Sequence, residues 1–270
     1  MDNIHSHTRS KKKTSPKISR PRTMELLEIV VSFLVGAIAG FFGATVGGGG
    51  LLAIPFLMFT GLPPQIAIAT ARFGDMGLPI TSTYKFWKSN QIVWKYVPLL
   101  SVVALLGSLI GANILLTIDP DRLEKVAALF LFALLPFVLF KKEIGTIRRE
   151  VSRLSKTIST FVYFVIETIT GFFAAGTGPL VYYTLMIGFG LTIIEAVATS
   201  MLPFLVLAIS SVVVFAMHGL IDYSTGFIML AGTAAGGYFG AHVAISKGAV
   251  WIKGLFAIMV VAAGINLLFF

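Results

Sequence analysis

Two glycine-rich stretches, one in each half of the chain, interrupt apolar runs of helical length, and they constrain the fold more than any other feature. Residues 40–50 read GFFGATVGGGG and residues 171–179 read GFFAAGTGP, so that Gly40 matches Gly171 and Gly47 matches Gly178. Each stretch follows a long apolar run and precedes a much shorter one. Glycine permits positive φ and close backbone approach, and it interrupts a helix without placing a charge in lipid. Helices broken at corresponding points in two halves of a membrane protein indicate a transport site.

Composition places the chain in the membrane. It is 56% hydrophobic and only 12% charged, whereas soluble domains average about 25% charged residues. Several apolar runs reach the roughly 20 residues that a helix needs to cross a bilayer. The sequence therefore predicts an all-α polytopic membrane protein. Because there is no cysteine, disulfides, thiol nucleophiles and iron–sulfur sites are excluded.

The net charge of +9 does not indicate nucleic-acid binding, because the basic residues are confined to short patches. Sixteen of the 21 Lys and Arg residues lie in residues 9–22, 85–95 and 141–156. This distribution resembles the cytoplasmic charge bias that orients membrane proteins. The expected partners are the lipid bilayer, a small anionic substrate and a coupling proton, with no nucleic acid; a homodimer is left open.

The chain divides into a tail, two membrane repeats and a linker. Residues 1–23 form a disordered basic cytoplasmic tail, 24–140 the first repeat, 141–157 a basic cytoplasmic linker and 158–270 the second repeat. Each repeat is predicted to hold four crossing helices and one short apolar segment. As a helix such a segment is about 15 Å long, roughly half the hydrocarbon thickness, and it is interpreted as a re-entrant half-helix.

The predicted crossings and short segments follow one plan in both halves. The register shifts slightly after the short segment, so that Gly61 matches Gly190 and the pair Ala69-Thr70 matches Ala198-Thr199. The crossings are 25–46, 66–87, 92–118, 123–140, 158–175, 195–217, 223–245 and 250–270, and the short segments are 51–60 and 180–189.

Two topologies fit this plan. If the short segments dip into the membrane and return, the tail, the 85–95 turn and the linker all face the cytoplasm, as the positive-inside rule favours. That gives eight crossings, parallel repeats and a cytoplasmic N-terminus in the cell inner membrane. If the short segments cross instead, there are ten crossings and inverted repeats.

The same motifs resemble the TauE/SafE family of bacterial anion exporters, also called the toluene-sulfonate uptake permease family. The resemblance covers about residues 26–270. It rests on the duplicated glycine stretch, on Pro55 after the first copy, on Gly61 before Pro63 and Pro64, and on Ala69-Thr70. Many members continue Thr-Asn-Lys where this chain has Thr70-Ala71-Arg72, and the second half has Met201 where a polar residue is expected.

The resemblance implies a secondary transporter that exports sulfite, organosulfonates or related anions without ATP. Uptake of another small anion, such as a carboxylate or thiosulfate, is an alternative, as is an intramembrane enzyme. Enzyme signatures are absent from the sequence: it has no Walker phosphate loop, no nucleophile elbow and no His-Glu-x-x-His motif. We therefore expect no catalysis, no cofactor and no metal, since His218 and His242 lack partners at ligand spacing.

Backbone amides are the first candidates for holding an anion. Where a helix restarts after a glycine break, its free N–H groups and positive dipole end attract negative charge. The candidate cradles comprise two runs, Gly47, Gly48, Gly49 and Gly50 in the first half and Gly176, Thr177 and Gly178 in the second. The alternative is that these glycines serve only close packing.

Arg72 is the only Lys or Arg residue well inside a predicted crossing. A charge at that depth is costly and usually functional, so Arg72 is a candidate for substrate contact. The alternatives are an ion pair with Asp75, three residues along the helix, or snorkelling to the surface. The hydroxyls of Thr70 and Thr199, like those of Thr45 and Thr177, line the path or bond the carbonyl one turn back.

Glu167 is the candidate for a coupling proton, because it precedes the second helix break and burial favours the neutral form of a carboxyl group. Glu195 begins the helix after the second short segment. Its position there favours a role as a helix-capping acid.

Overall fold

The computed structural model describes residues 26–118, 145, 147–173 and 176–269, with side chains described as far as 248 and at Trp251 and Gly254. Within these ranges the chain is helical and has no strand. The tail 1–23, the predicted crossing 123–140 and residues 141–144 and 146 of the linker lie outside the described residues.

The helices follow the predicted plan closely. In the first half they are α1 (Leu26–Val46), α2 (Gly50–Phe59), α3 (Pro64–Asp75), α4 (Gly77–Lys88) and α5 (Val97–Thr117). In the second half they are α6 (Arg153–Phe172), α7 (Gly178–Phe189), α8 (Ile193–Met217) and α9 (Tyr223–Phe269). Met76 alone separates α3 from α4 and is itself helical (φ −61°, ψ −27°), so the two form one rod. Gly248, at φ 74°, kinks α9.

Length and composition confirm an all-α polytopic membrane protein. Among the described residues, four helices are long and apolar enough to cross a bilayer: Leu26–Val46, Val97–Thr117, Ile193–Met217 and Tyr223–Gly248. The two predicted short segments are the apolar helices α2 and α7, of 10 and 12 residues.

The ends of the short helices explain their shortness. Gly61 (φ 87°) follows α2 and Gly190 (φ 72°) ends α7, and both adopt the left-handed conformation that glycine favours. These two glycines are equivalent in the predicted register. Pro63 and Pro64 then start α3, and a capping box of Thr192 and Glu195 starts α8.

Helix directions follow from which glycines meet which residues. Gly232 lies against Phe33, Gly236 against Ala37 and Gly240 against Phe41, so α1 and α9 run parallel. The rod α3–α4 also runs parallel to α9, because Phe73 meets Gly226 and Leu78 meets Gly237. Since α1 and α3 point the same way, α2 must carry the chain back between them. Gly49 indeed lies against Ala39, in the middle of α1.

The second half runs the opposite way. Gly107 lies against Thr168 and Gly111 against Phe172, so α5 and α6 are parallel. The helix α5 is antiparallel to α3, because the Gln65 side chain at the start of α3 donates to the carbonyls of Leu115 (3.2 Å) and Ile118 (3.0 Å). The helix α6 therefore points opposite to its equivalent α1, and the repeats are inverted.

The favoured prediction of parallel repeats is therefore wrong, and the inverted arrangement kept as an alternative is correct. The reason is that α1 and α2 together do not carry the chain to the opposite face, because α2 returns it to the face where α1 began. We call this face, which also holds the end of α5 and the α8–α9 turn, the α1 face. The opposite, linker face holds the turn 89–96 and the linker residues 147–152, where Arg149 bonds Gly190. The patch at 85–95 and the described part of the patch at 141–156 therefore lie on the linker face, whereas α1, which follows the first patch in the sequence, begins on the α1 face.

The two repeats interlock through four equivalent glycines. Gly107 and Gly111 on α5 pack against α6, the first helix of the other repeat. Their equivalents, Gly236 and Gly240 on α9, pack against α1. In each pair the glycines stand one helical turn apart and bring two backbones together along one helix face, as small residues do in membrane helix pairs.

A methyl group added at this interface should lower stability. In Gly236→Ala the new Cβ would overlap the Ala37 carbonyl, a backbone group that cannot move aside. Overpacking of this kind costs about 1–3 kcal/mol, and we expect the melting temperature of the detergent-purified protein to fall by several degrees. The matched control is Gly254→Ala, whose Cβ meets no atom within 4 Å. Equal melting temperatures for the two variants would contradict this packing.

Candidate functional site

The two glycine stretches meet backbone to backbone. A Cβ placed on Gly47 would lie 2.6 Å from the Cα of Gly178, so neither position has room for a side chain. Gly47 also adopts φ +79°. These two glycines are equivalent in the repeat register, and their contact therefore lies on the pseudo-two-fold axis that relates the repeats. Because the repeats are inverted, this axis lies in the plane of the membrane, midway between the two faces.

A cavity opens beside this contact. It measures about 60 Å³, room for roughly four water molecules. Its wall combines glycine backbone, hydroxyl groups, apolar side chains and two carboxylates. The lining residues are Gly43, Gly47, Gly49, Gly50, Asp75, Leu78, Glu167, Thr170, Thr177, Gly178, Val181, Tyr182, Ser200, Met201 and Phe204.

Both short helices begin at the cavity. At the start of α2, Leu51 donates to the Gly48 carbonyl and Leu52 to the Gly49 carbonyl, each at 3.1 Å. The amides of residues 48–50 donate to no backbone acceptor among the described residues. At the start of α7, Val181 donates to the Thr177 carbonyl at 3.2 Å. Two positive helix ends therefore converge on one polar space.

Arg72 is completely buried at the edge of the cavity and does not form its wall. One terminal nitrogen donates to the Thr170 carbonyl, and the guanidinium carbon lies 5.5 Å from the ring centre of Phe204. Within the described chain, its Nε and Nη1 have no hydrogen-bond partner. Complete burial excludes snorkelling. A buried guanidinium with unsatisfied nitrogens is energetically costly, and a charge at this depth is usually functional.

Asp75 on α3 and Glu167 on α6 both lie close enough to this arginine for their charges to act on it. Both carboxylates are buried, at 5% and 3% exposure, and both form part of the cavity wall. Their charges act on Arg72, but in the described part of the chain neither carboxylate lies within 4 Å of its nitrogens. The Oε2 atom of Glu167 has no hydrogen-bond partner there either. The alternative of a contact ion pair between Arg72 and Asp75 is therefore not what the structure shows.

The threonines divide into two groups. At the cavity, the Thr170 hydroxyl donates to that of Thr177 at 2.8 Å. Away from it, Thr70 accepts from the Asp222 amide and Thr199 accepts from the Val93 amide, both at 3.0 Å. These two bonds are equivalent in the repeat register, so each repeat holds a turn of the other.

The predicted site residues therefore fall into two groups, those in the cavity wall and those outside it. The cavity wall contains Gly47, Gly49, Gly50, Glu167, Thr177 and Gly178, and it does not contain Gly48, Thr70, Arg72, Gly176 or Thr199. Thr45 bonds the carbonyls of Phe41 and Phe42 in its own helix. Glu195 is a capping acid, as predicted, and lies 3.6 Å from Arg148 near the linker face.

Sequence reasoning missed several wall residues on α7 and α8. Tyr182, whose hydroxyl donates to the Gly43 carbonyl at 3.1 Å, and Ser200 are isolated polar residues without a motif. Met201 and Phe204 do have a signal, because they are the register equivalents of Arg72 and Asp75. No group of His, Cys, Asp or Glu side chains in the described ranges is arranged to hold a metal ion.

Comparison with known proteins places the chain in a family. The family model described as "Sulfite exporter TauE/SafE" matches residues 32–267. A probable membrane transporter protein of Haemophilus influenzae is 28% identical, covering 86% of this chain and 91% of its own length. The probable membrane transporter proteins YdhB of Bacillus subtilis and YfcA of Escherichia coli are 30% and 27% identical, over 90% and 88% of this chain and 100% and 89% of theirs. No solved structure matches the chain.

The reciprocal threonine bonds predict a loss of stability on removal of one hydroxyl. Thr199→Val keeps the side-chain shape but leaves the Val93 amide without its acceptor, which costs about 1–3 kcal/mol when the amide is buried. We expect a lower melting temperature than in Thr45→Val, where the lost hydroxyl bonds only carbonyls of its own helix. Equal melting temperatures for Thr199→Val and Thr45→Val would show that this bond contributes nothing to stability.

Proposed function

The chain belongs to the sulfite exporter TauE/SafE family of membrane proteins, and on that basis we propose that it exports small sulfur-containing anions, such as sulfite or organosulfonates. It does so as a secondary transporter of the cell inner membrane, by alternating access. One observation carries this proposal: the two broken elements of inverted repeats meet at a cavity whose largely apolar wall contains backbone, hydroxyl and carboxyl groups. In known transporters such a junction is where substrate binds.

The chemistry of the cavity supports an anion with several oxygen atoms. The amides of residues 48–50 at the start of α2 supply donors, and the start of α7 adds the positive end of a second helix dipole. On the wall, the Thr177 hydroxyl accepts from Thr170 and keeps its own proton as a further donor, whereas the hydroxyls of Tyr182 and Ser200 donate to the carbonyls of Gly43 and Val197. Arg72, behind Thr170 and Phe204, supplies the positive charge. A sulfite or sulfonate group can accept hydrogen bonds from the free donors among these groups.

The reciprocal bonds support alternating access. Thr70 ties α3 to the α8–α9 turn on the α1 face, and Thr199 ties α8 to the turn near Val93 on the linker face. Because the two bonds are equivalent, opening one face while closing the other needs only that the repeats exchange roles. Glu167 stands on the cavity wall and is our candidate for binding a coupling proton.

Two other functions make different predictions. Uptake of a carboxylate or of thiosulfate would use the same cavity in the reverse direction. An intramembrane enzyme would consume its substrate, whereas a transporter moves it unchanged. Reconstituted liposomes loaded with sulfite, an alkylsulfonate, thiosulfate or acetate separate these cases, because flux is measured together with recovery of intact substrate.

Removal of Arg72 should abolish transport. In Arg72→Ala the cavity loses its only nearby positive charge among the described residues, and a charge-assisted bond is worth about 1.5–3 kcal/mol. We expect sulfite flux in liposomes to fall at least tenfold. The control is Arg153→Ala at the start of α6, which removes an exposed charge. Unchanged sulfite flux in folded, membrane-inserted Arg72→Ala protein would remove Arg72 from the mechanism.

The proposed orientation of the protein in the membrane rests on the different numbers of basic residues at the two faces. The described Lys and Arg residues near the linker face are Lys85, Lys88, Lys95, Arg148, Arg149, Arg153, Lys156 and Lys247, and the described residues of the α1 face contain none. The positive-inside rule therefore favours a cytoplasmic linker face. The basic tail 9–22 beside α1 favours the opposite orientation, with the cytoplasmic N-terminus that the sequence predicts.

Cysteine labelling distinguishes the two orientations, since the natural chain has no cysteine. Ser89→Cys marks the linker face and Ser224→Cys the α1 face. We expect a membrane-impermeant maleimide added to whole cells or spheroplasts to label Ser224→Cys and to spare Ser89→Cys until the membrane is permeabilised. The reverse pattern would confirm a cytoplasmic N-terminus.

A further inference from the structure

The cavity wall carries two carboxylates and no cation. Asp75 from α3 and Glu167 from α6 both face the space, while Arg72 lies behind the wall with its guanidinium against Thr170 and Phe204. As long as both acids are ionised, this wall would repel the anion that the cavity is proposed to bind. Like charges enclosed away from water repel strongly, because little solvent screens them.

Protonation of the two acids removes this repulsion, as the net charge of the site shows. With both acids ionised, Asp75, Glu167 and Arg72 together carry a charge of −1, and a bound monovalent anion would make it −2. With both acids protonated the three groups carry +1, and the same anion brings the total to zero. Only this second state holds the anion in a neutral, enclosed site.

Among the described residues, no other charged group lines the cavity. The helices α1 and α2 contribute only glycines to the wall, and α8 contributes Ser200, Met201 and Phe204. The remaining titratable groups are two tyrosines, Tyr163 on α6 beside Glu167 and Tyr182 on α7. Neutral tyrosines add no charge and do not alter the balance.

We propose that Asp75 and Glu167 form a proton-binding pair, and that a monovalent anion occupies the cavity only when both are protonated. The inference rests on the proposed function and adds Asp75 to its machinery. Each acid takes its proton from water as the cavity opens to one face, and the anion and both protons cross together. The anion then leaves on the far side as the carboxylates ionise.

This coupling sets the direction of net transport by the sum of the anion gradient, the proton gradient and the membrane potential. Two protons accompany one negative charge, so each cycle moves one net positive charge with the anion. An inward proton gradient therefore favours uptake, and net export runs when the outward anion gradient exceeds it. The site thus accommodates export of an anion that accumulates in the cell.

The test is to count the protons taken up when an anion binds. Methanesulfonate is a suitable probe because it stays monovalent across the working pH range, whereas sulfite titrates itself. Calorimetry of the detergent-purified full chain, repeated in buffers of different ionisation enthalpy, gives the number of protons bound per anion. At a pH where both acids are ionised in the empty protein, we expect two for the wild type.

Variants assign the protons. We expect one proton per anion for Asp75→Asn and for Glu167→Gln, and none for the double variant, whose affinity should no longer depend on pH. Glu195→Gln is the matched control: it changes a half-buried acid that caps α8 outside the cavity, and the count should stay at two. The wild-type count needs no variant, so it remains informative if a substitution prevents folding.

The outcomes separate the inference from the function. Methanesulfonate binding without proton uptake, or with an uptake that Asp75→Asn leaves unchanged, overturns the proton pair and leaves the anion site intact. Absence of binding and of flux for methanesulfonate and sulfite alike overturns the proposed function, and the proton pair with it.

Discussion

A helix that breaks inside a bilayer leaves amide groups without water, and the structure depends on how this chain resolves that problem. It brings the two broken ends together, with Gly47 against Gly178, so that the unpaired amides surround a single cavity. Lipid offers those groups no alternative partner. Only a backbone without side chains allows this approach, and the interlocking of α1 with α9 and of α5 with α6 then holds both breaks in place.

The frame is symmetric but the chemistry is not. The register pairs Arg72 with Met201 and Asp75 with Phe204, so at these two positions the first repeat supplies charged groups and the second supplies apolar side chains. The guanidinium lies against Phe204, the counterpart of the neighbouring acid. The second repeat supplies its own acid, Glu167, where the first has Gly36, so the site on the axis is asymmetric. Two identical charged halves would place four charges in the same small space.

Repetition and composition made most of the fold predictable from sequence. The two short helices, their glycine ends at Gly61 and Gly190, and the capping role of Glu195 all come from local rules that act within a few residues. The inversion of the repeats could not be predicted in this way. Patches of basic residues mark turns, and they do not show that α2 brings the chain back beside α1. Tyr182 and Ser200 reach the cavity through the packing of whole helices, and nothing adjacent in the sequence marks them. Arg72 was recognisable as a candidate site residue, but its position behind the wall depends on a carbonyl of the other repeat.

The inversion also bears on how such a chain arose. The helix α5 ends on the face where α1 begins, yet the chain reappears at Gly145 beside Ile193 on the other face, so one repeat finishes across the membrane from where it started. An ancestor encoding a single repeat could build this site only from two copies inserted in opposite orientations. In a single fused chain the relative orientation of the two copies is fixed. Their charges differ, since Lys85 and Lys88 stand where the other repeat has Val214 and Met217.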